Sequence, residues 1–410
     1  MLTDWIWLST RKGIGSRSVL RALSYFTTAE EAFRAPEQEY RLAGFTDAEA
    51  AAFSDKSLDG PGRILEECAQ KGIHILTYQD AAYSARLRNL PDAPAVLYYT
   101  GMLPPFDEEP LVAVVGSRKS SPYGLSCAKR LGYQIGICGG IVVSGLAEGG
   151  DAMAMLGAVS AGRPVVGVLG CGVDVIYPKC NRNLYEDVRR RGCLISEYPP
   201  GTPPFPQHFP ARNRIISGLS LGVVVVEAPA KSGALITAGL ALEQGRDVFA
   251  VPGNIGLSCC AGSNRLLKEG AALVESGWDV MSEYAALYPD KIRERRTGDG
   301  LVASEDELRV YGETAAASVA QPAENLSAAD KKAVDIPGDR DYIDVQAIMD
   351  SVSEEEKKIL LTLDKPRHID ELVAACGVNA GHVLAALTVL EIKQYVKRLP
   401  GNRYELARRL

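Results

Sequence analysis

No Cys-x-x-Cys pair occurs among the nine cysteines, which scatter over positions 68, 127, 138, 171, 180, 193, 259, 260 and 376. That scatter supports neither a disulfide framework nor a zinc knuckle, and most of these thiols are expected to be small buried hydrophobes in a reducing compartment. The four histidines, His74, His208, His368 and His382, stand in four separate contexts without metal-ligand spacing, so no metal is expected. No apolar run approaches the length of a membrane span, and residues 1–8 are too short, and too acidic at their start, for a signal peptide. A cytoplasmic chain with no membrane contact is the expectation. Positive charge is not in surplus either. With 45 Lys and Arg against 51 Asp and Glu the formal charge is −6, which argues against a protein that coats nucleic acid through bulk charge and confines any such contact to a local patch.

What is present is apolar content, 46% over 410 residues, enough for two or three domains. Residues 1–65 read as short helices. Their Lys12-Gly13-Ile14-Gly15-Ser16 segment is either a helix-hairpin-helix-like turn that sets N–H groups on a phosphate or a plain turn in a small bundle. Packing and partner contacts are expected here ahead of DNA contacts. Residues 66–285 alternate strand and helix. A strand at Tyr78-Gln79-Asp80 and an apolar segment over 95–99 lead into apolar strands at 111–115, 141–144, 164–169, 194–197, 221–227 and 247–251. Nearly continuous apolar strands separated by helices mean a parallel sheet covered on both faces, an α/β architecture of extended Rossmann-like type. Residues 286–350 read as a linker, flexible and acidic over 299–344. Residues 351–410 offer helical patterns at 354–363, 369–376 and 380–392 and then a hairpin, the pattern of a winged helix. Its third helix carries only His382 and Thr388 as polar side chains, too little to read a base sequence. Weak phosphate contact through the wing and contact with a protein both remain open.

Four segments of the central region carry anion chemistry and read as strand ends. Gly116-Ser117-Arg118-Lys119 follows the first apolar strand, and Ser144-Gly145 ends the second, with Asp151 just beyond. Arg212-Asn213-Arg214 precedes the strand at 221–227, and Lys231-Ser232-Gly233 follows it. Backbone N–H groups at strand ends and helix N-termini favour an anion, and Arg adds a planar fork for phosphate oxygens. The first turn lacks the Gly-x-Gly-x-x-Gly spacing of dinucleotide folds, Ser144 stands where a nicotinamide site would want an acid, and no Gly-Lys-Ser/Thr follows a glycine-rich loop. No cofactor is expected, and the crevice suits a nucleic-acid backbone better than a small nucleotide.

Taken in order, these residues resemble the DNA-processing protein A family, also called DprA or Smf. The resemblance runs from residue 111 to about 281 through Gly116-Ser117-Arg118, Ser144-Gly145, Tyr177-Pro178 with Asn181, Ser196-Glu197 and Phe209-Pro210. It continues through Arg212-Asn213-Arg214, Ser232-Gly233, the stretch 248–253, Asn264 and Gly270-Ala271. It implies a protein that binds single-stranded DNA, protects it and loads a RecA-type recombinase during natural transformation, as a homodimer joined through the central domain. In the family the N-terminal helices form a SAM-like module of variable presence. The DNA-contacting residues implied are Gly116, Ser117, Arg118, Lys119, Ser144, Gly145, Asn181, Arg212, Asn213, Arg214, Lys231, Ser232, Gly233 and Asn264. Tyr198, Phe205 and Phe209 either stack on unpaired bases or pack under the loop.

Five positions depart from the family pattern. Gly150 replaces an aliphatic residue, Glu148 brings an acid into a loop that often carries Arg or Ser, Met155 stands where His is common, and Cys259-Cys260 precede Asn264. A nucleotide-processing enzyme that cleaves the glycosidic bond of nucleoside phosphates is the alternative on the same fold. It would need a carboxylate beside a Pro-Gly-Gly-x-Gly-Thr loop, and the matching stretch here, Pro229-Ala230-Lys231-Ser232-Gly233, is followed by no acid. No catalytic residue is assigned. Glu197 and Glu227 are expected to support the rim through loop N–H groups or an arginine, and Asp151 to cap the helix that follows it.

Overall fold

Every residue of Leu111–Val115 is at most 3% exposed, so both faces of this strand are covered, as its unbroken apolar run requires. The computed structural model describes residues 1–295 and, further on, residues 354–363, 367–376, 379, 382–383, 386–387, 390–391, 396–399 and 403–406. The expected linker over 299–344 lies outside the described residues. The chain divides into two compact units, Met1–Pro322 and Ala323–Leu410.

The first unit opens with six helices, α1 (Leu2–Ser9), α2 (Ser16–Phe26), α3 (Ala29–Arg34), α4 (Glu37–Leu42), α5 (Asp47–Ser54) and α6 (Asp59–Lys71). There follow β1 (His74–Thr77), α7 (Ala85–Arg88), β2 (Val96–Gly101), β3 (Leu111–Val115), α8 (Pro122–Ile137), β4 (Ile141–Ser144), α9 (Gly150–Ser160) and β5 (Val165–Leu169). The unit continues with α10 (Arg182–Arg191), β6 (Cys193–Ser196), α11 (His208–Leu219), β7 (Gly222–Val225), α12 (Gly233–Glu243), β8 (Asp247–Ala250), α13 (Ala261–Lys268), β9 (Ala272–Leu273) and α14 (Gly277–Met281). The nine strands form one sheet in the order β1-β2-β6-β5-β4-β3-β7-β8-β9. All pairs from β6 to β9 are parallel, and β1 and β2 add an antiparallel edge. From β3 the chain crosses to β4 on one side, and from β7 it crosses to β8 on the other. Order therefore reverses between β3 and β7, the place where an open α/β sheet leaves a crevice.

Helices α8 and α9 lie against each other through glycines. A Cβ on Gly132 would stand 2.8 Å from the Ala154 carbonyl carbon, and one on Gly157 would stand 2.8 Å from the Tyr133 nitrogen. The six N-terminal helices share one continuous apolar core with the sheet, from Trp7, Tyr40 and Phe53 to Val112 and Val114. The expected boundary at residue 65 consequently falls inside α6. The Gly13-Ile14-Gly15 turn starts α2, and the hydroxyl of Ser16 donates to Glu197 at 2.9 Å while accepting from Arg214 at 3.0 Å. In this arrangement the turn faces a carboxylate of its own chain.

Two local expectations are corrected. Residues 78–80 are a turn, and the strand is β1 just before it, because the Asp80 carboxylate accepts the Thr77 N–H at 2.7 Å and bends the chain there. Arg212-Asn213-Arg214 lies within α11, not at a strand end.

In the second unit, Glu354–Thr362 and Ile369–Cys376 are helical, as are residues 382–383, 386–387 and 390–391 of the expected third helix. Arg367–His368, Arg403–Leu406 and Val396–Leu399 form an antiparallel sheet in that order, of which the first short strand was not expected. Ile359, Leu360, Leu372, Leu387, Leu390 and Tyr404 pack into a core of its own, giving the winged helix. His382 is exposed, and Thr388 lies outside the described residues.

Because the α8 and α9 backbones touch at Gly157, Gly157→Val should cost roughly 1–3 kcal/mol through overpacking. Gly239, with nothing within 4 Å of an added Cβ, should gain about 0.5–1 kcal/mol on changing to Ala in mid-helix. Urea midpoints moving in opposite directions for the two variants are the expected result.

Candidate functional site

Where the sheet order reverses, the carboxyl ends of β3 and β7 open a cleft of about 450 Å³. Gly116, Ser117 and Arg118 after β3, Lys231, Ser232 and Gly233 after β7, and Phe209, Arg212 and Asn213 from α11 line it together with Asp151 and Tyr177. Its floor is a meeting of two backbones, since a Cβ on Gly150 would stand 2.8 Å from the Gly116 Cα. Here the aliphatic residue usual for the family at position 150 would push the two loops apart. Gly149, at φ +79°, makes the left-handed turn that brings them together.

Asp151 sits in the first turn of α9 and is 6% exposed. Its two oxygens accept the Gly116 and Gly145 N–H groups, each at 3.2 Å. The expected helix cap is thus corrected: the carboxylate joins the ends of β3 and β4. Burial raises its pKa from the ordinary carboxylate value, against the pull of the Arg212 charge and of the backbone donors.

The helical period decides the fate of the two arginines. Residues 212 and 214 are about 200° apart around α11 and leave on opposite sides. Arg212 turns to the sheet, 4% exposed, and donates to the carbonyls of Gly145 at 2.9 Å and of Val168. It lines the cleft as part of the wall, with its Nη1 group spent on strand ends. Arg214 turns away from the cleft and pairs with Glu197 at 2.7 Å and Asp92 at 3.5 Å. Asn213 lies between them and lines the cleft, 3.5 Å from the Gly233 carbonyl.

Two exposed cations remain on the rim. Arg118 places its guanidinium 5.2 Å from the centre of the Phe209 ring, and Lys231 makes no ion pair among the described residues. Ser232 caps α12, its hydroxyl accepting the Ala234 N–H at 3.2 Å, so the positive end of that helix meets the cleft. The Ser117 N–H donates to the Glu227 carbonyl at 2.8 Å. Lys119 is exposed but does not line the cleft.

Four other residues expected at the site hold loops and do not line it. The Ser144 hydroxyl is buried against the Val114 carbonyl at 2.7 Å, and Gly145 is buried beneath Arg212 and Asp151. Asn181 donates its amide to the carbonyls of Leu146 at 3.0 Å and Ala147 at 3.3 Å. Asn264 clamps both backbone groups of Gly253 at 3.0 Å. The Glu227 carboxylate accepts the N–H and hydroxyl of Ser121, each at 2.7 Å. Glu148 is exposed beside the Cys180 thiol and does not line the cleft.

Sequence reasoning missed His208, whose ring stacks on Tyr198 at 3.8 Å and meets the edge of exposed Phe205 at 5.3 Å. It also missed Lys179, exposed next to Tyr177 and Pro178. The signals were a cation two residues before Asn181 and aromatic rings three residues apart ahead of α11. The assembled cleft sets exposed cations and a helix N-terminus beside flat rings. Its lining carboxylate, Asp151, is buried and fully engaged.

Residues 74–285 match the model of the DNA recombination-mediator protein A family, and residues 348–402 match that of the DprA winged helix domain. The chain is 33% identical to protein Smf of Synechocystis sp. over 413 residues, spanning 98% of both chains. It is 37% identical to the DNA processing protein DprA of Streptococcus pneumoniae over 280 residues, 67% of this chain and 95% of the relative. The X-ray structure of DprA from the same organism superimposes with a TM-score of 0.61 at 34% identity, covering 69% of this chain and 98% of that one.

Arg212→Ala should leave the buried Asp151 charge without its cationic neighbour and cost about 3–5 kcal/mol. Arg118→Ala, on an exposed rim, should stay within about 0.5 kcal/mol of the parent. Denaturant unfolding of the two variants checks this contrast.

Proposed function

The chain belongs to the DNA recombination-mediator protein A family, the DprA/Smf proteins, and we propose that its cleft holds the backbone of single-stranded DNA without catalysing a reaction on it. The observation that carries the reading is the meeting, at one sheet crevice, of two exposed cations, a capped helix N-terminus and no accessible carboxylate among the lining residues. Arg118 and Lys231 contact phosphates, Ser232 and Gly233 present the N–H groups of α12, and Ser117 and Asn213 complete the polar wall. Phe205 and the Tyr198–His208 pair offer faces for unpaired bases, which gives affinity without sequence preference. Arg212, Asp151, Asn181 and Asn264 keep the loops in place. The strand so held is protected and passed to a RecA-type recombinase, the protein acting as a homodimer.

Binding of a labelled oligothymidylate tests the reading. Arg118→Ala and Lys231→Ala should each weaken binding and lower the slope of log affinity against log salt by about 0.7 per lost phosphate contact. A slope equal to that of the parent would place the contacts elsewhere. Release of free base from nucleoside monophosphates would favour the enzyme alternative.

The domain division is part of the same proposal, with the helical module over 1–65 and sheet domain over 66–285 acting together and the winged helix over 351–410 apart. Cleavage near residue 324 should leave two folded pieces, the larger retaining most of the affinity for oligothymidylate. If the isolated winged helix instead bound a defined duplex more tightly, function would not lie in the cleft.

A further inference from the structure

Behind the cleft, Glu227, Cys259 and Cys260 bring one oxygen and two sulfurs within 4.8 Å of one another. We propose that these three side chains form a binding site for a zinc ion, independent of the DNA reading. The sequence spacing hides it: Glu227 stands two residues past β7, whereas the two cysteines lie in the loop before α13, and only the sheet brings them together.

The spacings suit a tetrahedral ion. With Zn–S bonds of ~2.3 Å and Zn–O bonds of ~2.0 Å, tetrahedral angles set sulfurs about 3.8 Å apart and sulfur to oxygen about 3.5 Å apart. The Cys259 and Cys260 sulfurs are 3.8 Å apart, and the Cys260 sulfur is 3.7 Å from Glu227 Oε1. The charge supports a cation too. Glu227 is 1% exposed and makes no ion pair among the described residues. Its carboxylate is already oriented by Ser121, as an outer-shell donor orients a metal ligand. A fourth position is left for water.

A bound ion would tie the loop before α13 to Glu227, whose backbone carbonyl accepts the Ser117 N–H of the cleft. Occupancy would in this way stiffen the rim from behind.

The test uses the full chain, reduced and stripped of metal with a chelator, and titrates it with Co²⁺ as a spectroscopic probe. One equivalent should bind with a near-ultraviolet thiolate-to-cobalt band, and Zn²⁺ should displace it. Cys259→Ser and Cys260→Ser should abolish the band, Ser121→Ala should weaken binding about 10–100-fold, and Cys180→Ser should leave both unchanged. Circular dichroism checks each fold, and if buried Cys260 does not tolerate replacement, half-buried Cys259 decides alone. No band in the parent, or an undiminished band in Cys259→Ser, overturns the site. So does a Cys259–Cys260 disulfide formed under mild oxidant by protein that binds no cobalt.

Discussion

The Asp151 carboxylate accepts N–H groups from the ends of two neighbouring strands, and the shape of the cleft depends on that pair of bonds. A buried carboxylate is costly unless its lone pairs are filled and a cation stands near. Both conditions hold. The Gly116 and Gly145 N–H groups fill the oxygens, and Arg212 supplies positive charge while its own N–H groups occupy the carbonyls of Gly145 and Val168. One carboxylate and one guanidinium thereby fix the ends of β3, β4 and β5 relative to α9 and α11. The loops that line the cleft can then be short and glycine-rich without losing their positions.

The same economy explains how a chain with net charge −6 keeps two exposed cations at its cleft. Its deep arginines, Arg212 and Arg214, are consumed by the fold. The working charges, Arg118 and Lys231, are exposed and close to backbone donors at a helix N-terminus, so a local field is built without bulk positive charge. Glu227 repeats the arrangement on the far side of β3, bonding the start of α8 through its side chain and the Ser117 N–H through its carbonyl. The cleft is thus braced from both flanks by acids whose oxygens are occupied by its own loops.

Much of this was legible from residue patterns. The unbroken apolar runs at 111–115 and 141–143 are buried strands of a parallel sheet because only a strand covered on both faces is apolar at every position. The turns after β3 and β7 carry the cleft as their composition implied. The reading failed where period was ignored. Arg212-Asn213-Arg214 looks like one cationic patch in a row of letters, but in a helix its two arginines serve opposite faces. Ser144, Asn181 and Asn264 look like ligand contacts because they are polar and near strand ends. Each instead satisfies a backbone group that a tight loop would leave unpaired.

By itself the sequence determined the order of strands and helices along the chain and the chemistry of the rim, because these follow from local period and composition. Which polar groups face the ligand, and which face the protein, was decided only in three dimensions. That choice turns on whether a side chain some 30 to 70 residues away leaves a donor or acceptor unfilled. Arg212 meets the Gly145 and Val168 carbonyls, and Cys260 meets Glu227, across separations that no local pattern encodes.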